Sequence, residues 1–278
     1  MKSYLLFLLA IALTLVPMPF VAEKSVAKSD GATVLVRLRD GSVEAIDIED
    51  YVLRVLAARE DDVTSLEAKK AFAVAVRSCA TYFSTFGCKH SEFDACSDGE
   101  CCIELGESGN ASESSINAVN ETRGVYLTYD GAPAMALFTL CASSGTKQSD
   151  EFDYLVPVVS GARCEEHRTE RVITIDKLLS LFPFGEGETS LYTVYGDNEK
   201  VEFAIFGGRQ IDGEALASAF DVPSVEFVAI SGADGLRITS YGAGHCYGLD
   251  LCNAERLARG GLYYKKILEI YFPSLKIE

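Results

Sequence analysis

The sequence predicts an α+β fold, a mixed and mainly antiparallel sheet with packed helices. Three observations lead there. Two Asp-Gly pairs sit between apolar runs, the pattern of tight hairpins. Several stretches repeat apolar residues at helical spacing. The strands and helices do not alternate strictly, which argues against a parallel, doubly wound sheet.

Taken in order, Val34–Leu38 and Val43–Ile48 flank Arg39-Asp40-Gly41-Ser42 and form the first hairpin. Ile48, Tyr51, Val52, Val55 and Leu56 follow i, i+3, i+4, i+7, i+8 spacing, one face of a helix on which residue 59 falls next. Thr64-x-x-Glu67 reads as a capping box opening a second helix that buries Ala68, Phe72, Ala75, Val76 and Cys79. A loop rich in cysteine follows, then a polar stretch, Gly106–Ser115, and a short helix around Ile116–Glu121. The second hairpin joins Val125–Tyr129 to Ala134–Leu140 across Asp130-Gly131. Strands recur at Val201–Phe206, Val225–Ile230 and Leu236–Ser240. Helices at about Asn253–Arg259 and Tyr263–Tyr271 are separated by Gly260-Gly261 and closed by Pro273. Neither an internal repeat nor a low-complexity linker divides residues 33–278, so they read as one domain in which about 165–220 can form a subdomain. Residues 23–32 are a polar lead-in.

The N-terminus sets the compartment. Lys2 precedes an apolar run, Leu5–Leu15, and residues 1–22 end in small residues before Glu23, the pattern of a secretory signal. Phe20 makes a poor −3 residue for cleavage after Ala22, so an uncleaved anchor stays open as well. Either way the domain is expected outside the cytoplasm, in the cell wall or periplasm. A net charge of −16 argues against nucleic acid as a partner. Hydrophobic residues make up 48% of the chain, enough for a substantial core. Nine cysteines is an odd number, so at least one is free, metal-bound or intermolecular. Four of them crowd with His90 into Cys88–Cys102, a density that admits metal ligation, disulfides or redox chemistry; the absence of a C-x-x-C pair there argues against redox exchange.

Four segments, in order, resemble the stage II sporulation protein D family. Asp50–Ala58 with Leu66–Arg77 is similar to its E-Y-V-x-x-V-V-A-x-E-M-P and L-E-A-L-K-A-Q-A-V-A-A-R-T runs. His90-x5-Cys96-x3-Glu100-Cys101 resembles H…C-D-x-x-H-C-Q. Phe138–Thr146 resembles Y-x-S-x-S/C-G-G-x-T, and Gly242–Leu249 with Ala254, Ala258-Arg259-Gly260, Tyr263 and Tyr271-Phe272-Pro273 resembles the G-x-G-H-G-V-G-M region and its C-terminal continuation. The resemblance implies a SpoIID-like fold with a substrate groove. Its implied activity is that of a lytic transglycosylase on denuded peptidoglycan strands, in which a glutamic acid protonates the glycosidic oxygen. The other function it implies is a non-catalytic strand binder, or an enhancer of a cell-wall amidase or other wall hydrolase.

The residues that matter follow from that resemblance. Ungapped counting from Leu66-Glu67-Ala68 puts Arg59 on the family's catalytic glutamate, and Glu60, one residue later, is the candidate general acid and base if the turn slips by one. The competing reading leaves Glu60 a solvated carboxylate beside Asp61 and Asp62, the acid having been lost. Arg59 and His245 are expected in the groove, with Ser143, Ser144 and Thr146 as glycan hydrogen-bonding groups; a serine nucleophile is disfavoured because no base stands at a recognisable spacing. His90, Cys96, Glu100 and Cys101 are the implied zinc ligands, zinc being a structural or groove-shaping ion, with a disulfide within Cys88–Cys102 as the rival. A Cys141–Cys164 disulfide is attractive on the same resemblance. Cys246 and Cys252 read as a local disulfide or two buried thiols, Cys79 as a buried thiol, His167 as a surface residue. Arg77 is expected near the end of its helix, pairing with a carboxylate or capping.

Overall fold

A computed structural model describes residues 31–97, 103–160, 164–185, 190–232 and 235–278. The signal-like residues 1–22 lie outside this set. Among the described residues no helix is long and apolar enough to cross a membrane.

The first hairpin forms as the sequence predicts. Strand β1 (Thr33–Arg37) pairs antiparallel with β2 (Val43–Asp47), Val34 opposite Ile46, and β3 (Ala95–Cys96) joins β1 in parallel. Gly41 turns the chain at a φ of 89°, which glycine adopts without penalty. Helix α1 (Ile48–Ala57) starts on Asp47, whose carboxylate accepts from the Glu49 N–H, and buries Tyr51, Val52, Val55 and Leu56. It ends two residues short of residue 59, where the chain tightens so that the Arg59 N–H donates to the Leu56 carbonyl.

Helix α2 (Leu66–Phe86) is the axis of the first core. Ala68, Phe72, Ala75, Val76 and Cys79 are all 0% exposed, as their spacing predicts. The helix is buried around nearly its whole circumference between Ala71 and Ala80, because α1, α3 (Glu113–Glu121), α6 (Leu251–Arg259), α7 (Tyr264–Tyr271) and β1 all pack on it. Its start differs from the capping box. Ser65 stands at the N-cap without a side-chain cap bond, and the carboxylate of Glu255 in α6 serves instead. Glu255 accepts from the N–H and hydroxyl of both Thr64 and Ser65 at 2.7–3.1 Å. Glu67 turns away to accept from the Tyr264 N–H at 2.8 Å, tying α2 to α7. Arg77 lies mid-helix rather than at its end. Its side chain, 2% exposed, makes a two-pronged ion pair with Glu49 at 3.0 and 2.7 Å and donates to the Val125 carbonyl.

The second hairpin, β4 (Leu127–Tyr129) and β5 (Ala132–Pro133), turns through Asp130 and Gly131, both at positive φ (50° and 80°). Its return strand is shorter than expected, because Pro133 has no N–H for the ladder and the chain departs there. The strand resumes as β6 (Phe138–Thr139), which pairs in parallel with β13 (Leu249–Asp250). The C-terminal β14 (Lys276–Ile277) closes the β4 edge.

A second hydrophobic cluster gathers residues between Ala142 and Cys246. Two antiparallel sheets build it. One runs β11 (Phe227–Gly232), β12 (Gly235–Ser240), β7 (Thr169–Thr174), and the other β10 (Arg209–Asp212), β9 (Val201–Phe206), β8 (Tyr192–Tyr195). Helices α4 (Ile175–Leu181) and α5 (Gly213–Ala219) cover them. Phe182 meets Phe206 and Phe220 with ring centroids 6.2 and 6.3 Å apart, edge to face. The whole is α+β, its sheets mainly antiparallel.

Candidate functional site

A cleft of about 950 Å³ opens where elements of both clusters meet. Val55 and Arg59 line it from α1 and the turn after it, Cys79, Tyr82 and Phe83 from α2. Phe138–Leu140 and Ala243–His245 form the facing wall, and Glu104, Glu151 and Glu214 contribute carboxylates.

That wall is built by backbone-to-backbone contact, which explains its glycines. The 242–248 loop wraps the 137–143 strand: Cys141 and Ala243 exchange both N–H···O bonds at 2.9 and 3.0 Å. The Thr139 hydroxyl donates to the Ala243 carbonyl and accepts from the Cys246 N–H. A Cβ on Gly248 would stand 1.9 Å from the Leu137 carbonyl oxygen, and one on Gly244 2.5 Å from Thr139 Oγ1. Both glycines also hold positive φ, 69° and 103°. Cys246, at φ 63°, is the residue that bears backbone strain there.

His245 projects from this loop into the cleft. Its Nδ1 accepts from the Tyr247 N–H at 3.1 Å, which fixes the neutral tautomer with the proton on Nε2. Crowding by surrounding protein and the nearby Lys147 ammonium push its pKa down to about 4. The residue keeps a solvent-exposed side, and the Tyr247 N–H holds the ring neutral through Nδ1. Lys147 completes the wall, bonded to Glu214 at 2.8 Å and standing 4.4 Å over the Tyr247 ring.

Arg59 faces the cleft, as the helical spacing predicts, and Glu60 does not. The Arg59 guanidinium pairs with Glu104 Oε2 at 3.3 Å and lies 3.8 Å from Asp62. Glu104 Oε1 meanwhile accepts from Arg39 at 3.3 Å. Glu60 turns behind the turn, where its carboxylate accepts from Lys69 Nζ at 2.5 Å and from the Ser112 N–H at 2.9 Å, at the start of α3. Lys69, buried at 3% exposure, also donates to the Ser112 and Ser115 hydroxyls at 2.9 Å each. Burial opposes the charge on Glu60, but these bonds outweigh it and hold its pKa at about 2. Glu60, expected as the general acid, thus stands as an ionised acceptor that does not line the cleft.

Ser143, Ser144 and Thr146 are likewise spent inside the fold. The buried Ser143 hydroxyl accepts from the Cys164 N–H at 2.8 Å. Ser144 binds Glu226 through its N–H and its hydroxyl, and Glu226 is in a buried ion pair with Lys200 at 2.6 Å. Thr146 Oγ1 donates to the Val156 carbonyl and accepts from the Val158 N–H. Thr139 and Leu140, just upstream, line the cleft in their stead. Nothing in their side chains distinguished them beforehand.

Of the expected zinc ligands, Glu100 and Cys101 lie outside the described residues. His90 stacks on Phe93 with centroids 4.5 Å apart, and Cys96 is buried in β3. Cys88, whose Sγ accepts from the His90 N–H, lines the cleft beside Lys89. Cys141 and Cys164 form no disulfide, nor do Cys246 and Cys252. Cys79 is a buried thiol whose pKa burial pushes up to about 12. His167 is half-buried rather than a surface residue.

Comparison with known proteins gives a consistent picture. Residues 39–129 match the family described as stage II sporulation protein. The stage II sporulation protein D of Bacillus subtilis is 22% identical over 267 residues, covering 87% of this chain and 77% of that protein. Its counterpart in Bacillus amyloliquefaciens is 24% identical, covering 92% and 81%. An uncharacterized protein of Brachyspira hyodysenteriae is 26% identical over 251 residues, covering 84% and 67%.

Proposed function

The chain is a divergent member of the stage II sporulation protein D family, and on that premise we propose that it is an exported, sporulation-related cell-wall protein that holds denuded peptidoglycan strands in its cleft without cleaving them. The observation that carries this reading is the cation at the cleft where the family motif has its glutamate. Arg59 cannot act as a general acid, its pKa lying above about 12. Glu60 is engaged behind the turn by Lys69 and Ser112. Glu104 offers each of its oxygens to an arginine, Arg39 or Arg59.

Arg59 suits a different task. A strand stripped of its stem peptides carries a lactyl carboxylate on each muramic acid, and the Arg59 guanidinium would take it by exchanging its Glu104 partner for that carboxylate. Phe83 and Phe138, which also line the cleft, offer apolar surface to sugar faces, and His245 adds a polar ring to the same wall. A strand-binding member of this family fits the presentation of glycan to a cell-wall amidase or another wall hydrolase. Zinc at His90, Cys96, Glu100 and Cys101, which the resemblance implies, belongs to this proposal as a structural ion, and no step of binding runs through it.

The test is co-sedimentation with purified denuded strands. Wild type is expected to pellet with them, and Arg59→Ala and His245→Ala to reduce the bound fraction at least fivefold. Equal pelleting of all three proteins would overturn the cleft as the binding site.

A further inference from the structure

Outside the cleft, one cluster of ligand-type side chains has no assigned role. The Sγ atoms of Cys141, Cys164 and Cys252 and a ring nitrogen of His167 all lie within 4.8 Å of one another. We infer that these four residues form a metal site for a thiophilic divalent cation, zinc by chemistry, which staples the cleft wall to the second hydrophobic cluster.

The donor set is three thiolates and one imidazole, the composition of closed, tetrahedral structural zinc sites. With Zn–S distances near 2.3 Å, ligand atoms in such a site stand about 3.8 Å apart. Sulfurs and nitrogen already within 4.8 Å need converge by only about 1 Å or less, within the reach of side-chain rotation. Cys164-x-x-His167 supplies two ligands from one 3₁₀ turn, at residues 165–167, with the His167 N–H donating to the Cys164 carbonyl at 3.3 Å.

The backbone on every side is already fixed. Cys141 is 1% exposed and held by both hydrogen bonds to Ala243. Cys164 hangs from Ser143 Oγ at 2.8 Å, and the Cys252 N–H donates to the Leu140 carbonyl at 3.0 Å. A disulfide would use two of the three sulfurs and strand the third with the imidazole, whereas a metal uses all four. Three thiolates also leave six of the nine cysteines, an even number.

The position gives the ion a purpose. Leu140 and Leu251, the chain neighbours of Cys141 and Cys252, both line the cleft. Cys164 and His167 lead directly into β7, which packs in the second cluster. One ion therefore joins the end of β6, the turn before β7 and the first turn of α6.

The full chain, purified under reductant without chelators, tests this. Elemental analysis is expected to find zinc bound at this site, and exchange with Co²⁺ alone to give the visible bands of a tetrahedral ion with thiolate charge transfer. Cys164→Ser and His167→Gln are each expected to weaken Co²⁺ binding at least tenfold, the second variant serving if the first does not fold. His90→Ala and Cys96→Ser, which touch only the zinc site proposed at His90 and Cys96, are expected to lose at most one equivalent of Co²⁺ and to keep the thiolate bands of the Cys141, Cys164, His167 and Cys252 site. A metal-free protein, a peptide map placing Cys141 in a disulfide, or a spectrum lost in Cys96→Ser and kept in His167→Gln would each overturn the inference.

Discussion

Replacing Glu60 with glutamine separates a structural carboxylate from a catalytic one. Glu60 ties the 59–62 turn to the start of α3 through Lys69 Nζ and the Ser112 N–H. Its pKa is lowered from 4.5 to about 2, which at ~1.4 kcal/mol per unit sets an upper limit of about 3.5 kcal/mol. The side chain is 21% exposed, and solvent screening reduces this to about 1–2 kcal/mol. Glutamine keeps an acceptor for Lys69 but leaves its nearly buried ammonium uncompensated, which adds to the loss. We expect Glu60→Gln to cost about 2 kcal/mol at pH 7, a urea midpoint lower by about 1 M. The Glu60→Gln, Lys69→Met pair should recover part of it. The sign with pH is fixed: between about 2 and 4.5 the unfolded chain binds the proton that folded Glu60 refuses. The wild-type advantage is therefore full above pH 4.5 and disappears as pH falls toward 2. Urea unfolding at pH 7 and pH 3 measures both. A Glu60→Gln protein with the wild-type midpoint at pH 7 that has lost its action on glycan would refute the reasoning and return Glu60 to the chemistry.

Other expectations follow from the same geometry. Glu255→Ala removes the acceptor of four bonds at the start of α2 and should cost about 1–2 kcal/mol in thermal unfolding; an unchanged midpoint would contradict the cross-chain cap. Gly248→Ala places a methyl against the Leu137 carbonyl at positive φ, so it should destabilise the wall by about 1–3 kcal/mol and weaken strand binding. His245 should titrate well below the ordinary imidazole range in NMR, and a midpoint at or above 6.5 would contradict the neutral ring held by Tyr247.

Local chemistry was legible in the sequence, and long-range commitments were not. Asp40-Gly41 and Asp130-Gly131 dictate their turns within four residues, and the apolar face of α2 was readable because burial follows its own periodicity. The placement of Arg59 at the cleft extended the same argument by one turn. Glu60 escaped it because helix geometry ends at Ala57 and the carboxylate is then aimed by Lys69 and Ser112, the second 52 residues away. The start of α2 misled for the same reason: its cap is Glu255, 191 residues from Thr64, and no local pattern marks it. Ser143, Ser144 and Thr146 carried polar chemistry in a motif, yet their partners Cys164, Glu226 and Val158 were invisible until the chain folded.

The central claim is that the cleft binds glycan without a proton donor, and product analysis tests it most directly. Denuded strands incubated with the wild-type protein and separated by mass should be recovered at their original length, with no 1,6-anhydromuramic ends, while strand binding persists. Anhydromuramic products that accumulate with wild type and vanish in Glu60→Gln or Glu104→Gln would contradict the account and make this chain a transglycosylase.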